Sequence, residues 1–326
     1  GIPFGVGRIE LVGTAPEYRR QGLIRAQFDV VHRWSAARGE LVQAITGIPF
    51  YYRQFGYEMA LDLGGGRVCY PHSVPNLKPG QKEPFALRAV DENDLDFAMA
   101  MDAVMAGKSL IHALRDRHFW RYELSGRPAG SAYRGEWRII QTPEGERAGL
   151  IGYSPNPWGP NRLGIWWLEL APGYSYVEAS ASILRGLRAE AETILFSKGR
   201  RLGDLYFQLG ESHPLYEANH DRLAFVRPAY AWYLRVPDLP GFVRTIAPAL
   251  QQRLEHTHAA GHTGELKLNF YRMGLRLALD RGRLSAIEGW TPSLAEEGDA
   301  AFPGLTFLQL LFGYRTLDQL GDAFPD

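Results

Sequence analysis

Gly7-Arg8-Ile9-Glu10-Leu11-Val12-Gly13-Thr14 runs through Ala15-Pro16-Glu17-Tyr18 into Arg19-Arg20-Gln21-Gly22-Leu23-Ile24, and an apolar helical pattern follows through Phe28, Val31 and Trp34. The stretch reads as a strand that ends at Pro16 and Tyr18, then a turn, then a helix. Gly22 lets the backbone approach a ligand with no Cβ in the way. The first amides of a helix have no intrahelical partner, so they point outward as donors, and the helix dipole favours negative charge at the same place. Arg19 and Arg20 add guanidinium groups that fork onto phosphate oxygens. Backbone donors, dipole and arginines in one turn suit a pyrophosphate. The competing reading is a surface turn whose arginines are merely solvated, because short motifs misfire.

The same residues carry a family resemblance. V-G-T-A-P-E-Y-R-R-Q-G-L resembles the acetyl-coenzyme A motif of the Gcn5-related N-acetyltransferases, Q/R-x-x-G-x-G/A after a strand, which maps onto Arg19, Gly22 and Ile24. Ile24 departs from the Gly or Ala of the general pattern. A bulkier residue there, followed by Arg25 and Ala26, is similar to the Eis (enhanced intracellular survival) branch. Downstream, Tyr52-Arg53-Gln54-Phe55-Gly56-Tyr57 resembles the Y-x-R-F-G-Y segment of Eis-like enzymes, with Gln54 in place of their Arg. On chemistry alone, Phe50, Tyr51, Tyr52, Phe55 and Tyr57 read equally well as aromatic core around a strand end. The resemblance tips Tyr52 toward function.

Composition sets bounds. The chain has 326 residues, 45% hydrophobic and 22% charged, enough for two or three domains. Lys plus Arg is 36 and Asp plus Glu is 36, so no net charge draws it to nucleic acid or anionic lipid. Cys69 is the single cysteine, which excludes an intrachain disulfide and a cysteine-built zinc site. His256, His258 and His262 cluster in a polar stretch without a further ligand, so no metal is expected. His32 lies on the first helix and reads as a surface or packing residue. No run is long enough to span a bilayer, and no signal peptide pattern is present, so a cytoplasmic location is expected.

Three blocks follow along the chain. The first, residues 1–83, continues with a buried strand at Leu41–Ile45, a helical turn at Tyr51–Phe55 capped by Gly56, and a strand at Tyr57–Asp62, before a proline-rich linker. The second, residues 84–236, repeats that order. A tryptophan-rich strand over Leu163–Leu170 leads to a helix through Ile183, Leu184, Leu187 and Ala191, but the loop between reads Pro172-Gly173-Tyr174-Ser175-Tyr176. It has no arginine pair and no glycine at the helix start. The third, residues 237–326, starts with an amphipathic helix over Phe242–Leu254, then three strands at Gly264–Tyr271, Gly274–Asp280 and Arg283–Glu288, then a helix at Phe302–Phe312. A mixed α+β fold is expected.

The resemblance implies more. It implies tandem acetyltransferase-like domains, the second without coenzyme binding, followed by a sterol-carrier-like α/β domain. It implies that elements precede Gly1 and follow Asp326, so the chain is expected to be a piece of a longer one. Acetyl-coenzyme A is the implied co-substrate. Its contacts map to Leu11, Val12 and Gly13 for the pantetheine arm, to Arg19, Arg20, Gln21, Gly22, Leu23 and Ile24 for the pyrophosphate, and to Gly47 and Ile48 at the next strand end. Tyr52 is the candidate acid, since a phenol of pKa ~10 can protonate a departing thiolate. In Eis-like enzymes the terminal carboxylate takes the proton from the amine; here that residue is Asp326, and the base is not assigned. The implied acceptor is a small-molecule or peptide amine, with neither nucleic acid nor membrane as partner, and homo-oligomers occur among Eis-like proteins. A silent coenzyme-binding regulator and a carrier of apolar ligands are the alternatives.

Overall fold

A computed structural model describes residues 1–294 and 296–324. The chain opens with β1 (Val6–Arg8) and reaches α1 (Leu23–Ala37) through an irregular segment. β2 (Val42–Ile45) is buried at every residue. A 3₁₀ turn, Tyr51–Phe55, stops at Gly56, whose φ of 83° suits glycine, and β3 (Glu58–Leu63) leaves from it. Next come β4 (Gly66–Cys69), β5 (Ala86–Ala89), α2 (Leu95–Lys108), α3 (Arg117–Arg121), β6 (Glu136–Gln141), β7 (Arg147–Tyr153) and β8 (Arg162–Leu170). After these follow α4 (Tyr176–Phe196), β9 (Asp204–Phe207), α5 (Pro214–Glu217), β10 (Phe225–Arg227) and β11 (Tyr230–Arg235). The chain closes with α6 (Leu239–Leu254), β12 (Gly264–Asn269), β13 (Gly274–Asp280), β14 (Arg283–Trp290), β15 (Ala300–Ala301), α7 (Phe307–Leu311) and α8 (Leu317–Ala323).

These elements build two compact units. Residues 1–61 join residues from 231 onward, and residues 62–230 form the other. The changes of unit therefore do not fall at 83/84 and 236/237, the block edges read from composition. Strand exchange is the reason. β4 lies between β10 and β9 in the seven-stranded sheet β10-β4-β9-β8-β7-β6-β5, while β11 lies between β2 and β3 in the sheet β1-β2-β11-β3. A third sheet, β14-β13-β12-β15, has α6 against β14, where Arg244 donates to the Ile287 carbonyl at 2.6 Å.

In the first unit β1 and β2 are parallel, with Val6 opposite Val42 and Arg8 opposite Ala44, and α1 makes the crossover. Its core gathers Phe28, Tyr52, Tyr57 and Tyr233, all buried. In the second unit β8 and β9 are likewise parallel, with α4 as crossover, so the strand–helix–strand unit recurs. One face of that sheet packs Ile151, Leu168 and Phe207 with Ile183 and Leu187 of α4; the other packs Trp137 and Trp167 with Trp120. Among the described residues, no helix is long and apolar enough to cross a membrane.

Two expectations need correction. The strand read through Gly13 stops at Arg8. The last bond to β2 is Ile9 N–H to the Ala44 carbonyl at 3.1 Å, and β2 itself ends at Ile45, so among the described residues no strand lies beside residues 10–15. Leu11, at φ 57°, leaves extended geometry altogether. The helix read over Phe302–Phe312 is only Phe307–Leu311, because Pro303 and Gly304 break the pattern before it. Helix α8 and strands β4 and β10 were not read from the sequence.

Candidate active site

The turn between β1 and α1 is built from left-handed backbone. Arg20 has φ 64° and Gly22 has φ 74°. A side chain in that region costs ~1–2 kcal/mol, so Arg20 holds local strain of the kind that collects at functional loops. Gly22 caps α1 with no side-chain acceptor, so the first amides of α1 stay open. Space around the Gly22 Cα is also open, with no heavy atom within 4 Å of where a Cβ would sit.

Val12, Gly13, Arg19, Arg20, Gln21, Gly22, Leu23, Ile24, Ile48 and Tyr52 line one cleft of about 490 Å³. That volume is within the ordinary range for a ligand site. Thr14, Tyr18, Arg25, Tyr51, Gln54 and Phe55 complete its wall. Two of the residues named from the sequence stand apart. Leu11 is fully exposed and borders an adjoining groove that runs to Trp34. Gly47 lies behind the wall: a Cβ there would come within 3.1 Å of the Tyr52 hydroxyl. At φ 138°, Gly47 also holds a conformation closed to other residues.

Tyr52 is 5% exposed, with its ring among Phe28, Tyr51, Tyr57 and Tyr233. Burial first, then the neighbouring phenols Tyr51 and Tyr233 and the Glu10 carboxylate, hold its pKa above the ordinary tyrosine value. The phenol is therefore a protonated donor at neutral pH. Tyr233 is a residue the sequence reading missed. Its hydroxyl accepts from the Phe50 amide and donates to the Ile48 carbonyl at 3.3 Å, which fixes the loop below the cleft. Nothing local marks Tyr233, since its partners lie more than 180 residues away. His32 bonds the Tyr57 hydroxyl at 2.8 Å, a packing role in the core. Among the described residues, no group of three or more His, Cys, Asp or Glu could hold a metal.

The matching place in the second unit is occupied by its own side chains. Ser175 caps α4 by accepting from the Val177 amide at 3.1 Å. The Tyr176 hydroxyl bonds Glu169 at 3.4 Å, and Glu169 is buried against Lys108 at 2.6 Å. His213 stands edge-on to Tyr176 at 5.2 Å. The Val177 amide at the start of α4 is thus engaged by the Ser175 side chain, whereas the start of α1 has no such side-chain cap.

Residues 1–60 match the family model described as acetyltransferase (GNAT) domain. No curated protein matches the chain. Solved structures do. A protein of unknown function from Enterococcus faecalis, described as a probable N-acyltransferase, superposes with a TM-score of 0.66 at 16% identity over 98% of this chain and 74% of that one. A GCN5-related N-acetyltransferase from Kribbella flavida gives 0.59 at 18% identity, over 98% and 72%. Eis1 from Mycobacterium abscessus gives 0.56 at 14% identity, over 99% and 76%. The likeness is one of fold: the chain is a mixed α+β protein with three sheets and a GNAT-type acetyltransferase fold.

Proposed function

We propose that the protein is an N-acetyltransferase that moves an acetyl group from acetyl-coenzyme A directly to a primary amine. One observation carries the reading: the open amides and arginines of the Gly22 turn share a single cleft with Tyr52. In this reading the turn holds the pyrophosphate, the unpaired backbone of Val12 and Gly13 faces the pantetheine arm, and Ile48 borders the thioester. The amine nitrogen attacks the thioester carbonyl, the C–S bond breaks, and the Tyr52 hydroxyl gives its proton to the departing sulfur. Holding the two reactants together accounts for most of the rate gain in such a scheme, with the acid adding to it. The amine proton leaves to a base that is not assigned; Asp326 lies outside the described residues. The acceptor class is a small-molecule or peptide amine.

In the same reading, residues 84–236 derive from a second acetyltransferase-like domain that has lost coenzyme binding, and residues from 237 onward are sterol-carrier-like. A second reading, carriage of an apolar ligand, has one observation behind it. Leu239, Phe270, Met273, Phe307 and Leu308 line a largely apolar cavity of about 410 Å³. The deciding experiment is an amine panel with acetyl-coenzyme A, read by release of free thiol. Amine-dependent release supports the transferase. Coenzyme binding by calorimetry with no release from any amine would point to a silent regulator, and absence of binding would end the coenzyme reading. Native mass spectrometry that finds a bound apolar molecule would favour carriage.

A further inference from the structure

Tyr52 sits on a five-residue 3₁₀ turn, Tyr51–Phe55. A turn this short does not hold itself in place; its partners set its orientation. Left-handed residues, Phe50 at φ 62° and Gly56 at φ 83°, flank it on both sides. On the side of α1 the tether is specific. Arg25 Nη2 donates to Gln54 Oε1 at 3.1 Å, and Gln54 Nε2 donates to the Tyr51 carbonyl at 3.1 Å. The Arg25 guanidinium also lies over the Phe55 ring, 5.4 Å from its centre, and Phe55 stacks on Phe28 of α1 at 4.3 Å. Gln54 thus joins the first turn of α1 to the carbonyl next to Tyr52.

We propose that Arg25 and Gln54 are a positioning pair that ties the Tyr52 turn to the phosphate-binding end of α1. The inference rests on the acetyltransferase reading. Arg25 and Gln54 both line the cleft. A guanidinium has five N–H donors in a planar fork, so it can hold Gln54 with one edge and meet a phosphate with another. The identity of residue 54 matters for that. A neutral amide accepts the hydrogen bond and leaves the Arg25 charge uncompensated for an anion. A carboxylate would keep the bond from Arg25 and cancel the charge, but would lose the bond to the Tyr51 carbonyl. Acid placement and phosphate binding therefore meet at one side chain, and substitutions at position 54 separate them.

The test uses the full 326-residue chain. Gln54→Met removes the acceptor at constant size, and Gln54→Glu keeps it. Kd for acetyl-coenzyme A is read by calorimetry, kcat by thiol release at saturating coenzyme and amine, and the order of residues 50–57 by hydrogen exchange. Gln54→Met is expected to lower kcat at least ~10-fold with little change in Kd, because small misplacements of a catalytic group cost that much or more. Gln54→Glu keeps the bond from Arg25 but not the one to the Tyr51 carbonyl, so it is expected to weaken coenzyme binding, which Gln54→Met does not, and to lower kcat no more than Gln54→Met does. In the double variant with Arg25→Met, kcat should fall no further than in Gln54→Met alone. Exchange in residues 50–57 should quicken in Gln54→Met even without coenzyme. Parental kcat and parental exchange in Gln54→Met would overturn the pair. If the parent protein neither binds coenzyme nor releases thiol, the acetyltransferase reading has failed on its own. Exchange still decides the tether: quickened, it stands; unchanged, it falls.

Discussion

Arg19 and Arg20 are exposed and make no ion pair among the described residues, whereas Arg185 of the second unit is forked onto Glu83 and Arg188 pairs with Glu192 at 2.7 Å. Charge-assisted contacts to phosphate contribute ~1.5–3 kcal/mol. Replacing Arg19 and Arg20 together by Ala should therefore weaken acetyl-coenzyme A binding by at least ~10-fold in calorimetry. Replacing Arg185 and Arg188 should leave it unchanged, and an equal loss there would defeat the assignment. Tyr52 should act on turnover rather than on binding. Tyr52→Phe keeps the ring among its aromatic neighbours and removes the proton, so kcat should fall ~10²–10⁴-fold with little change in coenzyme affinity. Because the Tyr52 pKa is raised, the acid stays protonated through neutral and mildly alkaline pH, and the loss of kcat from its ionisation belongs above pH ~10. A Phe variant with parental turnover would leave Tyr52 as packing only. At this scale the sequence was informative where chemistry is local. Arg19, Gly22 and Ile24 are set by spacing within one turn. Tyr233 carries no such mark, and its role depends on a strand from the far end of the chain.

Elements were readable where hydrophobic period and caps agree. Helix α1 begins where Gly22 predicts, β13 has the expected bounds, and α4 buries the expected Ile183, Leu184, Leu187 and Ala191. The failures among the strands have a common cause. The strand reading continues through Gly13, but a strand needs a neighbour, and β2 has ended by then. Strand β4 lies in a glycine-rich stretch and is ordered by pairing with β9 and β10, which its own residues do not announce. The short helix α5 offers a test of its cap. His213 Nδ1 accepts from the Leu215 amide at 3.2 Å, and Nε2 donates to the Leu168 carbonyl at 3.2 Å, so the neutral ring is the one that fits. Burial first of all pushes its pKa down to about 4. The sign follows directly: as pH drops below ~6.5 the unfolded chain takes up the proton and the folded one does not. The stability held by neutral His213 should fade from pH ~6.5 toward 4, by at most ~3 kcal/mol. Urea unfolding at pH 7 and pH 5 should show the loss in the parent and a smaller one in His213→Asn, where Asn can still cap. An equal pH dependence in both would remove His213 from the account.

On the scale of the whole molecule, the order of elements in the chain is not their order in the sheets. Block edges in composition mark linkers and prolines, but pairing decides which residues share a core. β4 is drawn into the second sheet and β11 into the first, so the units change at 61/62 and 230/231. The consequence is an asymmetry in autonomy. Residues 62–230 are continuous and hold all seven strands of their sheet, with Leu168, Ile183, Leu187 and Phe207 fully buried on one face and the Trp120–Trp137–Trp167 cluster on the other. Residues 1–61 hold only three strands of a four-stranded sheet, and the absent one, β11, lies between β2 and β3. Without it, the buried edge of β2 is left unpaired, Tyr233 no longer anchors Ile48 and Phe50, and a domain of about 60 residues has little core to spare. Residues 62–230 expressed alone should therefore unfold cooperatively in urea, with a fixed near-UV signal from their tryptophans, and should not bind acetyl-coenzyme A. Residues 1–61 expressed alone should show no cooperative transition and no coenzyme binding, although they carry the whole arginine turn and Tyr52. Folded, coenzyme-binding 1–61 would show that β11 is dispensable to the site, and a 62–230 piece without a cooperative transition would show that its core does not stand by itself.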